Sequence, residues 1–116
     1  MIVTAKAGRF QKGQGRMAKG YWVAHVDVTE PEGYKAYVGA DMEAFRKYGG
    51  RFLVRGGQFE VLEGASRSRT VVIEFPDYAS AVACYHSPEY QAAAALRKGR
   101  AEFDLIAIES YDGPQP

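Results

Sequence analysis

Residues 48–57, Tyr-Gly-Gly-Arg-Phe-Leu-Val-Arg-Gly-Gly, constrain the fold of this chain more than any other stretch. Two glycine pairs bracket a short run of strand character that begins and ends on arginine, Arg51 and Arg55. Glycine readily adopts the left-handed conformation needed at a helix terminus, so Gly49-Gly50 predicts the end of a helix. Glycine inside a strand marks a bulge or a close backbone approach, so Gly56-Gly57 predicts an interruption of the strand. The segment therefore defines a helix–strand junction and puts two cations on a β-surface.

The periodicities on either side of this junction alternate between strand and helix. Tyr21 to Val28 reads as a strand, with Trp22, Ala24, Val26 and Val28 apolar and Tyr21, Val23, His25 and Asp27 mixed. Thr29 and Glu32 stand at capping-box spacing with Pro31 between them, which predicts a helix start. Tyr34, Val38, Met42 and Phe45 form its apolar stripe. A second strand is expected over 51–63, broken by the glycines, then a turn over 64–68 and a third strand from Arg69 to Phe75. Asp77 caps a short helix through His86, and Ser87-Pro88-Glu89 opens another that runs to about Ala101. A last strand is expected from Phe103 to Tyr111. The order β-α-β-β-α-β predicts an α+β, ferredoxin-like two-layer sandwich.

Side-chain parity assigns the faces. Trp22, Ala24, Val26 and Val28 belong under the helices, as do Val71, Ile73 and Phe75, Phe52 and Val54, and Phe59 and Val61. Val54 and Phe59 are separated by an odd number of residues, so one extra residue must be absorbed between them. Gly56-Gly57 is the expected bulge. The other sheet face then carries Tyr21, Val23, His25 and Asp27, with Arg51, Leu53 and Arg55, with Thr70, Val72 and Glu74, and with Leu105, Ala107 and Glu109. That surface is too apolar for open solvent and too charged for a dry core. A second copy of the sheet packed over it, enclosing a partly polar lumen, meets both constraints.

Several function classes are excluded by composition. A chain of 116 residues with net charge +1 has no global field to attract nucleic acid or an anionic membrane. One cysteine, Cys84, forbids an internal disulfide, fits a reducing compartment and reads as a small core or interface residue. No run is apolar enough to cross a bilayer and there is no signal-peptide core, so a cytoplasmic location is expected. Residues 1–16, with Lys6, Arg9, Lys12 and Arg16 among glycines, read as a basic arm or an upstream extension ahead of Met17. The domain is expected over 17–113 and a tail over 114–116. No zinc-ligand spacing, nucleophile elbow or dinucleotide fingerprint is present, so no metal and no cofactor are expected.

From Met17 to Gly113 the chain resembles the bacterial domain-of-unknown-function family 1330, in the dimeric α/β-barrel superfamily. The resemblance is carried by Lys19-Gly20-Tyr21-Trp22, by Thr29-x-Pro31-x-x-Tyr34, by Gly49 through Gly57 and by Val72-Ile73-Glu74-Phe75-Pro76. Tyr85-x-Ser87-Pro88-Glu89-Tyr90-Gln91 and Tyr111-Asp112-Gly113-Pro114 extend it. It implies a homodimeric barrel and no established activity. Relatives in the wider superfamily include small-molecule monooxygenases, isomerases and haem-handling enzymes.

Within the predicted lumen, His25 is the natural proton carrier because imidazole is the side-chain type best suited to acid–base work at neutral pH. Strands one and three are neighbours in such a sheet, so Glu74 is expected to orient His25, and Arg55 to anchor an anion or a developing enolate. Tyr21, Arg51 and Glu109 are candidate ligand contacts on the same face, and Tyr85 and Tyr90 candidates at a pocket entrance. This set fits proton transfer, isomerisation or cofactor-independent oxidation of a small organic acid or aromatic. It fits equally a non-catalytic binding module, or a structural dimer in which Arg55 and Glu74 are merely an ion pair.

Overall fold

The computed structural model describes residues 18–116, so the basic arm expected over 1–16 lies outside the described residues. The elements run β1 (Gly20–Val28), α1 (Pro31–Tyr48), β2 (Arg51–Arg55), β3 (Arg69–Phe75), α2 (Tyr78–His86), α3 (Pro88–Arg97) and β4 (Ala101–Glu109). The strands form one antiparallel sheet in the order β2-β3-β1-β4, the ferredoxin-like arrangement with β1 and β3 at the centre. The helices cover one face of the sheet.

Local chemistry accounts for most boundaries. Asp77 accepts a hydrogen bond from the Ser80 amide at 2.7 Å, and Ser87 Oγ accepts one from the Tyr90 amide at 3.1 Å, capping α2 and α3. Gly49 ends α1 at φ 77°, and the Gly50 amide returns to the Phe45 carbonyl at 2.8 Å. The start of α1 differs from the predicted capping box. Glu30 is the cap residue, and no side chain bonds the first-turn amides. The Thr29 amide instead donates to the Arg100 carbonyl at 3.0 Å, which ties the β1–α1 connection to the chain entering β4. The last helix also ends earlier than expected, at Arg97, with Gly99 at φ 78° turning the chain into β4.

The core lies between the sheet and the helices. Trp22, Ala24, Val26, Ile73 and Phe75 are buried from the sheet, as its parity predicts. Trp22 is the hub: its ring centroid is 4.8 Å from Tyr90 and 5.3 Å from Phe45, and its Nε1 donates to the Ala81 carbonyl at 2.7 Å. The face of α1 that packs here is Tyr37, Asp41, Ala44 and Phe45, with Tyr34, Val38 and Met42 along its margin.

Two strands depart from the predicted faces. The extra residue in β2 is Leu53, not the second glycine pair: Phe52 pairs with Ile73 and Val54 with Val72, with the register shift between them. Val54 therefore turns to the outer face and Arg55, opposite Val71, turns toward the helices. The ladder ends at Arg55. Gly56 and Gly57, at φ 73° and 110°, lead the chain off the sheet, and residues 58–63 form no strand. Phe59 and Val61, expected in the core, are 57% and 46% exposed. In β4, Tyr21 pairs with Ile108, Val23 with Ile106 and His25 with Asp104. Ile106, Ile108 and Asp104 thus occupy the outer face, while Leu105 and Ala107 pack against the core and Glu109 ends the strand opposite Gly20.

Candidate functional site

The outer sheet face does not assemble the predicted triad. His25 Nδ1 lies 3.1 Å from Thr70 Oγ1, with Asp104 opposite on the other side. Glu74 pairs with Tyr21, four residues along the same ladder, which is about 13 Å away at strand spacing. There the Tyr21 hydroxyl donates to Glu74 Oε2 at 3.3 Å and Arg51 Nε lies 3.8 Å from Glu74 Oε1. Arg55 is not on this face at all. The expected grouping of His25, Glu74 and Arg55 is therefore not formed within one chain, because the Leu53 bulge reverses Arg55 and the ladder separates the other two.

The polar groups that do converge lie beneath the helices. Asp41 is 5% exposed, on the buried stripe of α1 between Tyr37 and Phe45. Among the described residues its Oδ1 has no hydrogen-bond partner. Burial pushes its carboxyl up to about 7, while the Arg55 charge pulls in the opposite direction and does not cancel the effect. Arg55 stands at the mouth of the same cavity with its guanidinium 4.2 Å from the Phe52 ring centroid. Arg69, from β3, adds a buried Nε with no hydrogen-bond partner. The cavity holds about 40 Å³, room for a few waters.

A chain of phenols forms one wall. Tyr37 and Tyr90 share a hydrogen bond of 2.8 Å between buried hydroxyls, and Arg97 Nη2 donates to Tyr90 Oη at 3.3 Å. Burial raises the pKa of both phenols, so at neutral pH they act as neutral hydrogen-bonding groups and not as bases. Arg97 itself lies over the Phe103 ring at 3.8 Å from the centroid. Beyond Trp22, Phe103 and Leu105, which wall both spaces, a larger cavity of about 380 Å³ opens beside Tyr85, His86 and Ala107.

Of the residues singled out from sequence, Arg55, Tyr85 and Tyr90 border these two spaces, Tyr90 as a fully buried core residue. Tyr21 and Arg51 sit on the outer face, and Glu109 lies at the exposed end of β4. Cys84 is buried and its thiol is pushed up to about 12, so it is inert packing. Asp41, Tyr37, Arg69 and Arg97 were missed. The signal for Asp41 was present: Tyr37, Asp41 and Phe45 follow one another at intervals of four on a single helix face. Among the described residues no His, Cys, Asp and Glu cluster could hold a metal ion, and no helix is long and apolar enough to cross a membrane.

A single four-stranded sheet in the order β-α-β-β-α-α-β, with a polar cleft under its helices, makes this a ferredoxin-like α+β protein in which the second helical connection is split in two. The chain belongs to DUF1330, a family described as a domain of unknown function, whose model matches residues 19–111. A protein of unknown function from Rhodopseudomonas palustris is similar in structure, at TM-score 0.66 and 20% identity, over 84% of this chain and 86% of that one. SnoaB of Streptomyces nogalater, a cofactor-independent oxygenase, is similar at TM-score 0.55 and 11% identity, over 83% and 96% of the two chains. A conserved protein of Bacteroides thetaiotaomicron described as a possible oxidoreductase is similar at TM-score 0.53 and 11% identity, over 80% and 98%. No curated protein matches the chain. These likenesses extend to the fold.

Proposed function

We propose that the protein binds a small organic acid or aromatic molecule in the cleft between its helices and its sheet, and that Asp41 moves a proton there. The observation carrying this reading is the Asp41 carboxyl: nearly inaccessible, unpartnered at Oδ1 and poised near neutrality. A carboxylate in that condition takes a proton from an acidic C–H or O–H of a bound molecule and becomes the neutral acid. The anion left on the ligand is stabilised by the Arg55 guanidinium at the cavity mouth. Return of the proton to a different atom gives isomerisation. Reaction of the anion with molecular oxygen as the oxidant gives the cofactor-independent oxidation that SnoaB's description names for that protein.

The outer sheet face supports a homodimer. Ile106 and Ile108 are about half exposed, next to Val23 and Val72, and charged groups occupy both ends of the patch. A second copy laid face to face covers the apolar centre. A non-catalytic binding module is the second reading, favoured by the neutral phenols Tyr37 and Tyr90 on the wall of the Asp41 cavity, which hydrogen-bond a ligand without taking its proton.

Deuterium exchange separates the two. Phenylpyruvate in D2O is expected to exchange its C3 protons faster with protein than in buffer, and Asp41→Asn to remove on the order of 100-fold of that acceleration. Exchange at the buffer rate, or undiminished in Asp41→Asn, overturns the catalytic reading. Thermal stabilisation by the same compound without exchange would favour the binding module.

A further inference from the structure

Among the described residues Arg97 has no counter-charge within ion-pair distance. Arg51, Arg67 and Arg100 each lie within 4 Å of a carboxylate, but among the described residues none lies that close to Arg97. Its Nη2 contacts Tyr90, and its Nε is buried with no hydrogen-bond partner. Arginine keeps its charge in any protein environment, so the group cannot relieve this by losing a proton. It lines the cavity of about 380 Å³ between α2, α3 and β4, within the size range of small-molecule sites. His86 is the other ionisable nitrogen group on that wall. The remaining lining, chiefly Trp22, Val82, Phe103, Leu105 and Ala107, is apolar and includes no aspartate or glutamate.

The geometry points to a binding site for an apolar carboxylic acid in this cavity, separate from the Asp41 cavity. The carboxylate is held by the free donors of Arg97, with His86 at the rim, and the hydrocarbon or aryl body packs on Phe103, Leu105 and Ala107. A carboxylate accepts from the Nη donors of Arg97 and balances its charge at once. A neutral ligand of the same shape accepts a hydrogen bond through its carbonyl oxygen but leaves the charge unbalanced.

The test uses 4-phenylbutyrate and its amide, followed by amide chemical-shift changes on the whole protein. The acid is expected to shift Val82, His86 and Ala107 saturably and to bind at least about tenfold more tightly than the amide. Arg97→Gln is expected to lose at least about tenfold in affinity for the acid. Because Arg97 also stacks on Phe103, Ala107→Phe serves as a second variant that fills the cavity and leaves the guanidinium in place; it is expected to abolish binding. Equal binding of acid and amide overturns the inference, as do undiminished binding in either variant with a native spectrum and shifts confined to Tyr34, Val38 and Val71. So does the absence of any shift at about 10 mM acid. 4-Phenylbutyrate has no readily exchangeable proton for Asp41 to take, so this outcome is read independently of proton transfer.

Discussion

Arg51 and Arg55 stand on opposite faces of the sheet, although they are four residues apart in one strand. Arg51 lies beside Glu74 on the outer face, and Arg55 lies over Phe52 at the mouth of the Asp41 cavity. Leu53, the extra residue of a bulge, accounts for the reversal. The outer face is left with a paired cation and the buried carboxyl acquires one within range.

Asp41 makes stability depend on pH with a definite sign. In the unfolded chain its carboxyl titrates near 3.8, and in the folded protein near 7. Folding therefore takes up a proton between these values. The contribution is fully present below about pH 4 and is lost as pH rises through 7. At about 1.4 kcal/mol per decade the loss is at most about 4 kcal/mol. Asp41→Asn is expected to flatten urea-denaturation stability between pH 5 and 8 and to exceed the wild type at pH 8. A wild-type profile as flat as the variant's would refute this.

Arg55→Met removes the nearby positive charge. The Asp41 carboxyl is expected to titrate higher than in the wild type, as read from its 13C shift, because Arg55 now opposes the effect of burial. Self-association should be unchanged, since Arg55 faces the helices. A weakened dimer with unaltered Asp41 titration would return Arg55 to the outer face.

The Tyr37–Tyr90 hydrogen bond predicts an order of stabilities. Tyr37→Phe deletes one partner of a 2.8 Å buried bond and is expected to cost about 1 kcal/mol. Tyr90→Phe also takes the acceptor from Arg97 and is expected to cost more. The double variant should cost less than the two together. Equal single costs that simply add would mean the three groups are not coupled.

Ile106→Lys and Ile108→Lys combined test the outer face. Two charges in an apolar interface are expected to weaken self-association on the order of 100-fold in sedimentation equilibrium, with far-UV dichroism unchanged. An unaltered association constant, or no self-association in the wild type, would refute the proposed outer-face dimer.

Gly49→Ala tests the junction itself. The residue sits at φ 77°, and a Cβ there would lie 3.0 Å from Pro76 Cγ. A loss of about 1 to 2 kcal/mol in chemical denaturation is expected. A neutral or stabilising result would show that this helix end does not need the left-handed conformation.

Local rules written in the residues were enough for much of the fold. Gly49 ends a helix, Asp77 and Ser87 cap two more, and the alternation in β1 and β3 decides which of their side chains meet the helices, because each of these depends on neighbours within a few positions. The same alternation failed in β2 and β4. Nothing local distinguishes a bulge at Leu53 from one at Gly56-Gly57, and β4 is apolar on both parities, so only pairing with Val72 and with β1 sets their faces. The site followed those faces. Which of His25, Glu74, Arg55 and Asp41 come together depends on register between strands distant in sequence and on a helix packed across them. Asp41 owes its character to that packing: a helical aspartate is ordinary until the sheet removes its water.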